Sequence, residues 1–314
     1  MVMLRWATHF VSLAAAVLCD DTFNLSGRRL TSLGLQLADG SRIPPTVKRL
    51  DASNNQITTL QQDLGQLTQL EELVLDVNNI DSIPCVPVLR KLTNLKLLSL
   101  RKQKVGEYKI LINIDSWLSS CSSLRELYLS SNKITQVPTE LKALKGLRVL
   151  ELSDNELQNI PGVVLREWVN MEYLNLGRNK LRELPEEIGH MRSLIVLRLS
   201  DNQLISLPNS ICSLTRLQTL TLFKNSLVYL PFEFYKLKGL LRGPEAAYFV
   251  QHLDMTFPPG FRVGENPGLI YPPMSKLGGD IKVIFDFMRD VHRNPREVQT
   301  QSDRIHKALD NCQH

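Results

Sequence analysis

Residues 194–208 read Leu-Ile-Val-Leu-Arg-Leu-Ser-Asp-Asn-Gln-Leu-Ile-Ser-Leu-Pro, with leucines at fixed distances from one asparagine. The same order, Leu-x-x-Leu-x-Leu-x-x-Asn-x-Leu-x-x-Leu-Pro, occurs five times in succession, with another aliphatic residue replacing some of the leucines. The five units begin at Leu124, Leu147, Met171, Leu194 and Leu217, so the starts are separated by 23, 24, 23 and 23 residues. This fixed period predicts a solenoid, because each unit can bury its apolar side only against its neighbours.

Each unit combines a short strand with a turn. Leu197 and Leu199 have the alternation of a strand that buries one face, and stacking the units places such strands side by side in a parallel sheet. Asn202 follows where the chain must turn, and its amide can satisfy backbone groups that a buried turn leaves without partners. The equivalent residues should form a polar ladder; they are Asn55, Asn78, Asn132, Asn155, Asn179, Asn202 and Asn225, with Gln103 in the same position of one further unit.

The units nearer the N-terminus are less regular. Two of them begin at Val47 and Leu70, and the earliest has Arg28 where the asparagine is expected. The unit from Leu95 runs 29 residues to the next start, so its extra segment, which contains residues 106–110, should bulge from the convex or turn side. Inserted loops often have a function, although repeat length also varies without one.

A second irregularity follows Leu240, where the next unit should begin. The pattern returns only with Phe261, Val263, Asn266 and Pro267, which implies an insertion of about 18 residues. The insertion could be a partner-binding loop, a short helix over residues 246–252, or an artefact of the gene model.

The C-terminal region has the pattern of a cap. Ile281, Ile284, Phe285 and Met288 are spaced i, i+3, i+4 and i+7, which places them on one face of a helix, and Asn294-Pro295 should end it. An open solenoid must cover its terminal core, so we expect this helix to lie over the last unit. Residues 302–312 could form one more short helix; otherwise the tail should be loose.

The N-terminal 19 residues have two interpretations. Residues 7–19 form an apolar stretch behind Arg5, which is the outline of a secretory signal. The same stretch could instead be a capping helix, with Leu4, Val11 and Leu18 on its buried face. It is too short to span a bilayer, and we expect no membrane span.

These patterns resemble the leucine-rich repeat family, specifically the intracellular class with Leu-Pro after the turn. That class includes the plant intracellular Ras-group leucine-rich repeat proteins and the animal Ras-binding scaffolds. The resemblance covers roughly residues 20–290. It implies an α/β leucine-rich-repeat solenoid: a horseshoe with a parallel β-sheet on its concave face, an irregular or short-helical convex side, and helical caps.

The expected organisation follows from the repeats and the two irregular ends. Residues 1–19 are an N-terminal capping helix or signal-like segment, 20–239 are the repeats, 240–258 the insertion, 259–293 a last partial repeat with the C-terminal cap helix, and 294–314 the tail. Because the C-terminal cap resembles the intracellular class, we expect a cytoplasmic protein; a secreted protein is the alternative. The five cysteines have no framework spacing that would indicate a disulfide scaffold.

The sequence has no pattern that indicates catalysis. It contains no nucleophile elbow, Gly-rich phosphate loop, His-Glu-x-x-His or Cys-x-x-Cys, and its six histidines are dispersed. The net charge of +5 is mild, and lysine and arginine alternate with acidic residues. We therefore expect no catalytic residues, no metal ligands, no cofactor and no nucleic-acid partner.

The outward strand positions are the expected place for a protein partner. They have no core role, and aromatic residues and arginine dominate interface energies. We expect these side chains to be exposed, with acids in the earlier units and bases in the later ones, so that a partner is steered electrostatically. The candidate residues are Glu72, Asp76, Arg101, Glu126, Tyr128, Glu151, Tyr173, Arg178, Arg198 and Phe223.

The function that these features favour is a non-catalytic protein-binding scaffold or adaptor, which we expect to be a monomer. The resemblance suggests signalling by Ras-type small GTPases as the pathway. One alternative is a secreted or cell-surface recognition protein. Another is a protein phosphatase 1 targeting subunit, because Lys282-Val283-Ile284-Phe285 matches the basic-Val-x-Phe peptide that docks that phosphatase as an added strand. That use conflicts with the cap helix, which needs Ile284 and Phe285.

Overall fold

The computed structural model describes residues 21–37, 40–80, 86–103, 121–241, 261–273 and 281–312. Twelve short strands lie in this part of the chain. They are β1 Thr22–Asn24, β2 Ser32–Leu33, β3 Arg49–Asp51, β4 Thr59–Leu60, β5 Glu72–Val74, β6 Leu97–Ser99, β7 Glu126–Tyr128, β8 Val149–Glu151, β9 Tyr173–Asn175, β10 Val196–Arg198, β11 Thr219–Thr221 and β12 Phe261–Arg262.

The main sheet has one strand from each repeat. Across the described residues, ten strands pair in the order β1-β3-β5-β6-β7-β8-β9-β10-β11-β12, all parallel. The register keeps the repeat aligned, because Leu174 pairs with Leu197 and Leu197 with Leu220. Strands β2 and β4 form a separate parallel pair after the first turns. The sheet confirms the predicted α/β solenoid.

Short helices return the chain between strands on the other side of the core. The four α-helices of the described residues are α1 Val86–Leu89, α2 Gly162–Glu167, α3 Ile281–Arg293 and α4 Pro295–Cys312. The remaining returns are 3₁₀ turns at Gln62–Gln66, Thr139–Ala143, Glu186–His190, Asn209–Ser213 and Phe234–Lys236. In three of these 3₁₀ turns the residue immediately before the first position is a proline. The fixed φ and the missing N–H of proline are tolerated at this place.

The core is the continuous stack of repeat leucines. In the unit that starts at residue 194, Leu194, Leu197, Leu199 and Leu204 are completely buried and Leu207 is almost so. Each such side chain contributes roughly 1.5–3 kcal/mol to the free energy of folding. Because every unit repeats this layer, the stability of the solenoid depends on contacts between adjacent units.

The predicted asparagine ladder is present, and it joins each unit to the one before it. The Asn179 amide donates to the carbonyls of Leu176 in its own unit and Leu152 in the preceding one, both at 3.0 Å. Its Oδ1 accepts from the Leu157 amide at 3.0 Å. Equivalent bonds are made by Asn55, Asn78, Gln103, Asn132, Asn155, Asn202, Asn225 and Asn266.

A backbone feature that the sequence did not predict accompanies the ladder. The residue before each ladder position has a left-handed conformation, and only the first of these residues is a glycine. We call this set the turn column; it comprises Gly27, Asn54, Val77, Lys102, Ser131, Asp154, Arg178, Asp201, Lys224 and Glu265, and the non-glycine members have φ between +52° and +60°. The tight exit from each strand requires this conformation, whatever residue the position holds.

The repeat pattern resumes at residue 261, after the segment that follows Leu240. Strand β12 pairs with β11 through Leu220 and Phe261, although these residues are 41 positions apart in the chain. Asn266 completes the ladder, since its amide donates to the carbonyls of Leu222 and Val263. The residues between 241 and 261, which contain most of the predicted insertion, lie outside the described residues, as do residues 1–20 and 104–120.

The predicted C-terminal cap helix is α3, which begins at Ile281 and ends at Arg293. Phe285 and Met288 are buried against the last repeat, and the Phe285 ring meets Phe234 edge-on with centroids 5.9 Å apart. The tail is more ordered than expected, because α4 spans 18 residues and buries Ile305. Among the described helices, none is both long enough and apolar enough to cross a lipid bilayer.

Candidate partner-binding surface

Nine of the ten candidate residues lie along one face of the sheet, opposite the core. Glu126 and Tyr128 belong to β7, and Tyr173 occupies the first position of β9. Asp76, Arg101 and Phe223 each stand two residues beyond the end of a strand, whereas Arg178 lies in the turn column. Thus nine of the ten occupy strand positions that face away from the core, or continue that alternation just beyond the strand. Arg178 lies beside them in the turn.

The expected exposure of this face is wrong for its central residues. Glu126, Tyr128, Glu151, Tyr173 and Arg198 are all buried, with at most 7% of their surface accessible. Glu72, Asp76, Arg101 and Phe223 are partly buried, and Arg178 is exposed. Adjacent parallel strands lie about 4.8 Å apart, so that large outward side chains contact each other across the sheet. A second apolar cluster results, comprising Val74, Leu97, Tyr128, Val149, Tyr173, Ile195 and Val196.

Hydrogen bonds hold the aromatic rings of this cluster. The Tyr128 hydroxyl donates to Glu126 Oε2 at 2.8 Å, and the Arg101 guanidinium stacks over the Tyr128 ring, 4.2 Å from its centroid. Burial raises the pKa of Tyr128 well above its usual value, and the negative charge of Glu126 adds to the effect. The phenol therefore remains a neutral hydrogen-bond donor at physiological pH.

The neighbouring strands repeat this arrangement. Glu151 accepts hydrogen bonds from the Tyr173 hydroxyl at 3.1 Å and from the Asn175 amide at 3.0 Å. The Arg198 guanidinium lies 5.9 Å from the Tyr173 ring centroid. Burial, and then the charge of Glu151, raise the pKa of Tyr173 well above its usual value. These carboxylates and rings stabilise the sheet, and most of their contact surface is already in use.

The acids of the earlier units also have internal partners. Glu72 accepts two hydrogen bonds of 2.6 Å from Arg49, a bidentate ion pair. Asp76 Oδ1 accepts from the Ser99 hydroxyl at 2.5 Å and from the Arg101 backbone amide at 2.8 Å. Glu72 is thus paired with a cation within the sheet, whereas Asp76 is held by two neutral donors and keeps its negative charge. Electrostatic steering of a partner by these acids stays a prediction.

An accessible groove lies beside the buried face, where strands end and the turn column begins. We call it the rim groove; its volume is about 210 Å³, and it extends from the unit of Lys102 to that of Phe223. Its floor is formed by four small residues that follow the last strand leucine in successive units, namely Ser130, Ser153, Gly177 and Ser200. Side chains of the turn column line its outer side.

The charges along the rim groove alternate in sign. Asp154, Arg178 and Asp201 occupy the turn column of three successive units, and the first two are exposed. Asp154 accepts a 2.9 Å bond from the Ser131 hydroxyl, and Asp201 lies 3.8 Å from Lys224. Of these three residues, the sequence-based selection included only Arg178. Regular alternation of charge before the ladder asparagine was the signal that could have identified the others.

The chemically reactive side chains of the described residues bear, by their position and burial, on two kinds of site, a metal centre and a reactive thiol. No three His, Cys, Asp or Glu side chains converge into a group that could hold a metal ion in the described ranges. Cys121 and Cys212 are unpaired and buried. Burial raises the pKa of Cys121 to about 11, and burial together with the charge of Glu233 raises that of Cys212 to about 12. Both thiols thus stay protonated, and a protonated thiol is a poor nucleophile.

Comparison with known families gives matches along the repeats. The family model described as "Leucine rich repeat" matches residues 114–157, 145–204 and 170–227, and the model described as "Leucine Rich repeats (2 copies)" matches residues 45–87. Together the matches begin at residue 45, near the start of the Val47 unit, and end at residue 227, within the unit that begins at Leu217.

Individual relatives are more distant. The chain is 30% identical over 147 residues to the Arabidopsis thaliana "Protein phosphatase 1 regulatory inhibitor subunit PPP1R7 homolog", which covers 41% of this chain and 44% of that protein. It is 30% identical over 112 residues to "Plant intracellular Ras-group-related LRR protein 8" of Oryza sativa subsp. japonica, covering 33% of this chain and 26% of that protein. The chain thus spans less than half the length of these curated relatives.

One solved structure with the same architecture is the ectodomain of the Arabidopsis thaliana membrane receptor kinase GASSHO1/SCHENGEN3 in complex with CASPARIAN STRIP INTEGRITY FACTOR 2. The match has a TM-score of 0.51 and 27% sequence identity, and it covers 72% of this chain and 29% of that one. The likeness supports the stacked-repeat architecture and leaves the identity of a partner open.

Proposed function

The chain belongs to the leucine-rich repeat family, and we propose that it is a non-catalytic scaffold that binds a protein partner along the rim groove. The observation that carries this proposal is the alignment of exposed, alternately charged side chains from successive units beside a floor of small residues. A rigid stack of repeats holds these groups at fixed spacing, and preorganised groups lose little entropy on binding.

The groove is a better candidate than the centre of the sheet. Tyr128, Glu151 and Tyr173 already make internal hydrogen bonds, so that a partner would have to break these to engage them. In contrast, Arg178 and Asp154 project from turns and can contact a partner with no rearrangement of the sheet. A partner covering the groove would also contact the exposed edge of the Phe223 side chain, and aromatic residues contribute strongly at interfaces.

Site-specific photocrosslinking of the full chain tests this proposal. A photoreactive amino acid at Asp154 should crosslink a protein partner in cells, whereas the same residue at Arg192, exposed on the returning side, should not. Crosslinking of the same protein from both positions, or from Arg192 alone, would contradict binding at the rim groove.

For the pathway, we propose cytoplasmic signalling with a Ras-type small GTPase as a candidate partner. Support comes from the similarity to the rice Ras-group-related protein and from the helical C-terminal cap. GTPases of this kind change the conformation of their switch segments with the bound nucleotide. Titration of the purified chain with a Ras-type GTPase should therefore give tighter binding with a GTP analogue than with GDP. Equal affinity for the two nucleotide states, or no binding, would exclude a Ras-type GTPase as the partner. The scaffold proposal would be unaffected.

A secreted or cell-surface recognition protein is the second candidate. It is supported by the apolar stretch at residues 7–19 and by the similarity to a receptor ectodomain. N-terminal sequencing of the protein from its native cells decides between the two locations. A start at Asp20 would establish signal cleavage and contradict the cytoplasmic proposal.

Protein phosphatase 1 remains a candidate partner through the repeats rather than through residues 282–285. In the cap helix Phe285 is 4% exposed and Val283 is 48% exposed, so docking of this segment as an added strand would require α3 to unfold. The similarity to the Arabidopsis thaliana PPP1R7 homologue supports the phosphatase as a candidate. If the repeats hold the phosphatase, Val283→Ala should leave its capture by the full chain unchanged. If Val283→Ala abolishes capture of the phosphatase, residues 282–285 would again be the candidate docking segment.

A further inference from the structure

We propose that the rim groove recognises an extended polypeptide segment that presents a basic, an acidic and a second basic side chain on one face, at alternate residues. This inference rests on the proposed scaffold function and specifies the chemistry of the partner. Its basis is the arrangement of three charged residues, Asp154, Arg178 and Asp201, together with one buried hydroxyl on the groove floor.

The sheet fixes the spacing of the three charged residues. Asp154, Arg178 and Asp201 occupy the same turn position in consecutive units, so that neighbours are separated by about one strand spacing, roughly 4.8 Å. The two aspartates are thus about 10 Å apart. Alternate side chains of an extended segment share one face and lie roughly 6.6 Å apart, so long basic side chains at the two ends of such a triplet can lean inward to reach both aspartates. A segment lying across the strands can place a basic side chain against each aspartate and an acidic side chain between them, against Arg178.

The state of the Arg178 side chain fits this interpretation. Its guanidinium is exposed at the groove, and within the described ranges it forms no ion pair with either flanking aspartate. Asp154 is instead hydrogen-bonded to Ser131, and Asp201 lies near Lys224. The central cation is therefore available for a carboxylate, and an arginine binds a carboxylate through two parallel hydrogen bonds.

The groove floor provides the second, independent observation. The Ser200 side chain is 6% exposed and lines the groove, and its hydroxyl has no hydrogen-bond partner among the described residues. Rotation of the Ser200 side chain toward the groove would let a peptide backbone on the floor supply the missing partner, and the small residues Ser153 and Gly177 leave room for that approach.

Charge inversion within the turn column tests the proposal without disturbing the fold. Lysine already occupies this backbone conformation at residues 102 and 224, so Asp154→Lys and Asp201→Lys introduce a residue that the turn accepts. Aspartate is equally accepted, which makes Arg178→Asp the matching change at the centre. Glu265→Lys is the control, because Glu265 is an exposed turn-column residue outside the groove.

The experiment selects 12-residue peptides from a random display library on the full chain, then measures their affinities by fluorescence anisotropy. We expect a basic–acidic–basic consensus, at least tenfold weaker binding to the triple variant Asp154→Lys, Arg178→Asp, Asp201→Lys, and unchanged binding to Glu265→Lys. Selection of the opposite consensus by the triple variant would support the assignment further.

Two outcomes would overturn the proposal. Selected peptides without the charge pattern, or peptides that bind the triple variant as well as the parent chain, would show that the groove does not read these charges. In that case, partner crosslinking from position 154 would still support the scaffold function. If no peptide is selected, the groove is not a linear-peptide site, and the crosslinking experiment alone decides the scaffold function.

Discussion

At the scale of single residues, the ladder asparagines have the clearest role. We expect Asn179→Ala to lower the free energy of unfolding by about 1–3 kcal/mol, because the amide satisfies buried backbone groups in two adjacent units. The measurement is chemical denaturation of both proteins. Asn170→Ala is the matched control, since Asn170 makes one exposed hydrogen bond to the preceding unit, and we expect a loss below about 1 kcal/mol. Equal stabilities for Asn179→Ala and the parent chain would contradict the ladder.

Backbone conformation gives a second prediction at this scale. Val77 has φ of +57°, where a β-branched side chain is strained, whereas asparagine tolerates the left-handed region. Val77→Asn should therefore raise the free energy of unfolding by about 1 kcal/mol, measured as a higher midpoint of thermal unfolding. Val163→Asn is the control, because Val163 is exposed in α2 with an ordinary helical backbone. A gain of the same size in both variants would assign the effect to lost surface hydrophobicity instead of to the turn.

Single elements show how far the sequence predicted the structure. The strand register, the ladder and the cap helix were predictable because leucine and asparagine spacing reports which side chains face the core. The same spacing does not report contacts among outward side chains, so the burial of Tyr128 and Tyr173 was missed. The left-handed turns were missed for a related reason, since valine, lysine and arginine at these positions give no glycine signal. Most of the rim groove depends on those turns.

Strand β9 provides the test of the buried outer face. Tyr173→Ala should cost about 3–5 kcal/mol, because it removes a buried ring and the hydroxyl that donates to Glu151. Arg178→Ala, at an exposed position three residues beyond the same strand, should change stability by less than about 0.5 kcal/mol. Denaturant midpoints of the two variants provide the comparison. A negligible effect of Tyr173→Ala would mean that this face is solvated after all.

The cap helix α3 has a buried and an exposed residue only two positions apart, and their substitution should have different effects on stability. We expect Phe285→Ala to cost about 3–5 kcal/mol, since its ring is buried against Phe234 at the end of the core. Val283→Ala lies on the exposed side of α3 and should cost less than about 0.5 kcal/mol. Thermal unfolding and light scattering would measure both effects, because an uncovered terminal core favours aggregation. Similar losses in both variants would mean that α3 does not close the solenoid in the way described.

At the scale of the whole molecule, the parallel sheet connects each unit only to its neighbours. Strand β3 contacts β1 and β5, and β11 contacts β10 and β12, so that Leu50 and Leu220 lie in distant layers of one core. The hydrophobic core is therefore continuous along the molecule, but each unit gains interaction energy only from the units next to it. Exposed groups such as those of the rim groove can vary between units without changing the layers beneath them.

Double-mutant cycles test this locality directly. Leu50→Ala and Leu220→Ala should destabilise additively to within about 0.3–0.5 kcal/mol, because no side chain contacts both sites. Leu197→Ala and Leu220→Ala involve residues paired between β10 and β11, and we expect a coupling energy of about 0.5–3 kcal/mol. Denaturant unfolding of the three single variants, the two double variants and the parent chain supplies both cycles. Strong coupling between Leu50 and Leu220 would indicate a core that responds as one body, which stacked layers joined only to their neighbours do not allow.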